Sequence, residues 1–110
     1  PDIAIVIDKV WDLKLRGLGA HTSQVLEYNP YVMGTYDKVQ ASKKLQDEYL
    51  YTNAYDWSHL TPEILVTLQY WYGMSKANQA KYVEAYEFAE FGRQVTKEEV
   101  KVLFPMLSKD

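Results

Sequence analysis

The sequence predicts an all-α fold, a small bundle of four to six helices, and three observations carry that prediction. Helix-capping residues punctuate the second half of the chain, and apolar residues recur between them at three- to four-residue spacing. Hydrophobic residues make up 47% of 110, enough to fill one core. A single domain over 1–110 is expected, with 106–110 as a flexible tail.

The amino-terminal stretch is read as one amphipathic helix. At 100° per residue Ile3, Val6, Ile7, Val10, Trp11 and Leu18 gather on one side, and Asp8, Lys9, Asp12 and Arg16 on the other. Asp2 serves as N-cap and Gly17 as stop. The alternative is an α+β fold with an N-terminal β-hairpin at 3–15, because Ile3, Ile5, Ile7 and Trp11, Leu13, Leu15 also alternate like strands. A short helix over Ser23 to Tyr28 and a loop marked by Asn29-Pro30 and Gly34 follow.

Thr35 caps a helix that begins at Tyr36, carries Val39, Ala41, Leu45 and Tyr49, and ends near Thr52 or Asn53. Leu60-Thr61-Pro62-Glu63 reads as staple residue, N-cap, Pro at the first helical position and an acid favourable to the helix dipole. That helix runs through Leu68 and Trp71 to Gly73. Ser75 then caps a further helix through Ala77, Val83, Tyr86 and Phe91, stopped by Gly92. Thr96-Lys97-Glu98-Glu99 fits a capping box, and the last helix ends at Pro105, which lacks an amide hydrogen.

Composition narrows the function classes. A formal charge of −3 and a pI near 5.3 disfavour a broad surface for nucleic acid or anionic lipid. The absence of cysteine removes thiolate metal sites and Cys nucleophiles. No apolar run approaches the roughly 20 residues of a membrane span. The opening Pro-Asp lacks the basic start of a secretory signal, which trimming could have removed, so the cytoplasm is the default compartment.

Catalytic chemistry is sparse. Asp56 and His59 stand at i and i+3 and could share a metal only if that stretch were helical. The position before Thr61-Pro62 favours a loop or capping role instead. Glu84, Glu87 and Glu90 recur at spacing three without the Glu-x-x-His pattern of a di-metal bundle, which favours a solvated acidic face. No catalytic residue, metal or cofactor is assigned.

Two binding readings remain. The helix, Gly73, helix arrangement could form a helix-turn-helix, with Lys76, Asn78, Gln79 and Lys81 facing DNA, although the glutamates further along would repel phosphate. The favoured reading starts from ten Tyr, three Trp and three Phe, more aromatic surface than one small core easily buries. Tyr70, Trp71, Tyr72, Tyr82, Tyr86 and Phe91 are the candidate anchors of a non-catalytic interaction or assembly module, binding a protein partner or a second copy of the chain.

Overall fold

The computed structural model describes residues 1–107. The fold is mainly helical, with one small antiparallel sheet. By closeness of the backbone in space the chain divides into two compact units. One joins Pro1–Asp8 to the chain from Ser58 onward, and the other is Lys9–Trp57.

The first unit is organised by a strand pair of long sequence separation. Strand β1 (Ile3–Val6) pairs antiparallel with β2 (Val83–Tyr86), Ile3 opposite Tyr86 and Val6 opposite Val83. This corrects both N-terminal expectations, because residues 3–7 form no helix and β1 does not turn back on residues 11–15. The run Ile-Ala-Ile-Val suits an extended backbone, and Ile3, Ala4 and Ile5 are all buried. Burial on both faces replaces the alternation of a half-exposed strand, so the same residues also satisfy a helical wheel.

Helix α5 (Pro62–Tyr72) covers β1 and begins as its caps dictate, with Thr61 Oγ1 accepting from Ile64 N at 3.3 Å. Ala4, Leu68, Ala77 and Val83 form the core between them. The long helix expected after Ser75 is replaced by one turn, α6 (Met74–Ala77), and then by β2. Residues 76–90 favour a helix locally, but pairing with β1 satisfies the strand's backbone groups and buries Val83 completely.

Helix α7 (Lys97–Leu103) carries the expected capping box. Thr96 Oγ1 accepts from Glu99 N at 3.2 Å, and Thr96 N donates to a Glu99 carboxylate oxygen at 2.8 Å. The expected tail is corrected at its start, because Pro105–Leu107 form a 3-10 turn and Leu107 is fully buried. The rest of that tail, 108–110, lies outside the described residues.

The second unit is helical. Its first long helix is α1 (Trp11–Ala20), which passes through Gly17 without stopping. The short helix expected at 23–28 is a π-helix, Thr22–Tyr28, and leads directly into α2 (Asn29–Val32). The single helix expected from Tyr36 is two, α3 (Tyr36–Gln40) and α4 (Lys43–Asp56). Ser42 makes the break, taking an extended backbone and accepting Leu45 N on its hydroxyl at 3.2 Å. Trp11, Val25, Leu26, Val39 and Ala54 are buried. Trp11 meets the Tyr51 ring edge-on at 5.9 Å between centroids.

Candidate interaction surface

The largest concentration of exposed apolar side chains lies between Tyr28 and Tyr36, in the second unit. Pro30 opens α2, where its missing amide hydrogen costs nothing, and is buried against the unit. One turn later Met33 N donates to Asn29 O at 3.0 Å, and Gly34 N to Tyr31 O at 3.0 Å. Gly34 takes φ 70°, a conformation that a residue with a Cβ rarely adopts, and reverses the chain. Thr35 N closes the turn on Pro30 O at 2.8 Å.

These bonds fix the backbone and leave three successive side chains pointing outward. Tyr31 is 73% exposed, Val32 60% and Met33 72%, flanked by exposed Tyr28 and Tyr36. Exposed single apolar residues are ordinary, whereas five large ones within nine positions are not. At the start of the turn Gln24 Nε2 also donates to Asn29 Oδ1 at 3.1 Å.

A cavity of about 270 Å³ opens between α3 and α4 in the same unit. Val39, Leu45 and Tyr49 give it apolar walls, and Thr35, Lys38, Glu48 and Thr52 complete its lining. Small-molecule sites run to roughly 300–1,000 Å³, so this space lies just below the small end of that range and has room for a few side chains.

The six aromatic residues singled out from the sequence fall in the first unit, in unlike environments. Tyr70 is exposed, with the Lys97 ammonium 4.1 Å from its ring centroid. Trp71 is only 5% exposed and donates its indole N–H to Asp2 O at 2.9 Å. Tyr72 packs against the core, and burial raises its phenol pKa, opposed by a hydrogen bond from the Val6 backbone. Tyr82 is half-buried and pairs with His59 in an isolated bridge. Tyr86 donates its hydroxyl to Glu84 Oε2 at 2.5 Å and lies 5.8 Å from the Phe104 ring. Phe91 is 88% exposed, within a stretch from Glu87 to Thr96 that holds no helix or strand.

Lys76, Asn78, Gln79 and Lys81 do not share a helix. Lys76 lies in the single turn of α6, Gln79 Nε2 turns back to Ser75 O at 3.1 Å, and Lys81 N donates to the Asp8 carboxylate. The recognition helix that a helix-turn-helix requires is therefore replaced by a turn and a strand. Asp56 ends α4 and His59 lies in the bridge to Tyr82, so the helical turn that would have put them on one face is not formed. Among the described residues no three His, Cys, Asp or Glu side chains gather to hold a metal ion, and no helix is long and apolar enough to cross a membrane.

The Tyr28–Tyr36 surface was legible in principle. Large apolar residues crowded around Pro30 and Gly34, where a polar loop is the norm, were its signal. No family model, curated protein or solved structure matches this chain.

Proposed function

We propose that the protein is a non-catalytic interaction module that associates with itself through exposed aromatic and aliphatic side chains. One observation supports the reading: the turn over residues 29–34 is closed by backbone hydrogen bonds, yet presents Tyr31, Val32 and Met33 to solvent. A turn fixed in this way loses little entropy on docking, and burying each of these side chains contributes roughly 1.5–3 kcal/mol. Tyr and Met are also enriched in interface cores, where lysine and glutamate are depleted.

Light scattering coupled to size exclusion, over a hundredfold range of concentration, tests the proposal. The expected result is a mass that rises above the 12.8 kDa of one chain as concentration increases. A mass fixed at one chain across the range, with the fold intact, would remove self-association as the function.

A further inference from the structure

We infer that the occupant of this surface is a second copy of the chain, docked reciprocally, with the Tyr31–Met33 turn of each copy seated in the Val39–Leu45–Tyr49 cavity of the other. The inference rests on the proposed self-association and adds the recess that receives the turn, the fit and the symmetry. Three observations support it.

The first is area. Aromatic side chains bury about 150–250 Å² each and Val and Met somewhat less, so Tyr28, Tyr31, Val32, Met33 and Tyr36 at their observed exposures offer at most roughly 600 Å² per copy. Two such faces reach the roughly 1,000 Å² that a specific interface needs, before the cavity walls are added.

The second is charge. Lys9–Trp57 holds six Lys or Arg and six Asp or Glu, so the formal −3 of the chain lies wholly in the other unit. A contact made by Lys9–Trp57 residues joins two surfaces that carry no net formal charge, whereas a contact made by the acidic unit brings like charge together. The second copy therefore fits this face better than the exposed Phe91 region, which Glu84, Glu87 and Glu90 precede and only Arg93 closely follows.

The third is complementary shape on one unit. A convex turn and a concave cavity are adjacent, since Thr35 both closes the turn on Pro30 and lines the cavity. When projection and recess are neighbours, a two-fold axis between them satisfies both contacts in a single closed pair.

The 110 residues contain no cysteine, which allows a direct test in the chain as it stands. Met33→Cys and Thr52→Cys are made separately, mixed, and treated with a short bismaleimide. The mixture should give several-fold more covalent dimer than either variant alone. Met33→Glu, which charges the projection, and Thr52→Trp, which fills the recess, should each weaken association at least tenfold, while Phe91→Glu should leave it unchanged. Circular dichroism confirms that each variant folds. Self-association that persists in Met33→Glu and Thr52→Trp, with no enrichment of the mixed product, would overturn this docking and leave the assembly reading standing. A strict monomer would overturn both.

Discussion

The carboxylate of Asp8 accepts the amide N–H of Tyr82 at 2.7 Å across 74 residues of sequence, and the amide of Lys81 at 3.1 Å. These bonds secure the entry to β2 directly beside its pairing with β1, where Ile7 N donates to Tyr82 O at 2.9 Å. Hydrogen bonds to a charged acceptor contribute about 1.5–3 kcal/mol, so Asp8→Ala should destabilise the protein by about 2 kcal/mol in urea unfolding. Asp12→Ala, on the exposed side of α1, should change stability by less than about 0.5 kcal/mol. Equal losses for the two variants would deny Asp8 this role.

Two glycines of α1, Gly17 and the penultimate residue Gly19, differ in the space around them. Nothing lies within 4 Å of a Cβ placed on Gly17, whereas a Cβ on Gly19 would stand 3.0 Å from Leu50 Cδ2 of α4. Alanine in a helix interior is favoured over glycine by roughly 0.8–1.0 kcal/mol. Gly17→Ala should therefore raise the thermal midpoint by a few degrees. Gly19→Ala should gain less or lose, because Leu50 must shift. A calorimetric comparison in which Gly19→Ala is the more stabilising variant would contradict the close approach of the two helices.

The reach of sequence reasoning follows from how local each signal is. Caps act over three or four residues, and the starts at Thr61 and Thr96 appear where their side chains placed them. Ser42 carries the same chemistry, but the four-residue step from Ala41 to Leu45 runs past it and disguises the break between α3 and α4. β1 and β2 are hidden for a different reason, because each is specified by a partner about eighty residues away that no local window contains. Trp71 illustrates the same limit at a candidate site. Its aromatic character was legible, whereas the carbonyl of Asp2 that holds it inside the fold was not.

Tyr86 should titrate apart from an ordinary tyrosine. Its phenol pKa is pushed up to about 12, first by the hydrogen bond to Glu84, then by burial and by the negative charge of Glu84. The protonated phenol is the form favoured in the folded protein. The associated stability is therefore fully present below the unfolded pKa near 10 and is lost as pH rises from about 10 through about 12. In an ultraviolet titration, the difference between wild type and Tyr86→Phe should show its midpoint near 12, and Glu84→Gln should move that midpoint down toward 10. A difference curve centred at 10 in both backgrounds would rule out the Glu84 interaction in solution.

The lead-in to β1 is completed by side chains of α5. Thr67 and Trp71, four residues apart on one helix face, donate to successive carbonyls, Thr67 Oγ1 to Pro1 O at 3.0 Å and Trp71 Nε1 to Asp2 O at 2.9 Å. Trp71→Phe keeps an apolar ring but removes the donor and some volume, and it leaves the Asp2 carbonyl without that partner. A cost of about 1–3 kcal/mol is expected. Thr67 is half-buried but its bond to Pro1 lies at the surface, so water can replace its hydroxyl, and Thr67→Val should cost under about 1 kcal/mol. Because both bonds anchor the same strand, hydrogen exchange at the amides of Ile3 to Val6 should accelerate more in Trp71→Phe than in Thr67→Val. Protection unchanged in Trp71→Phe would mean that β1 is held by its pairing with β2 and its apolar burial alone.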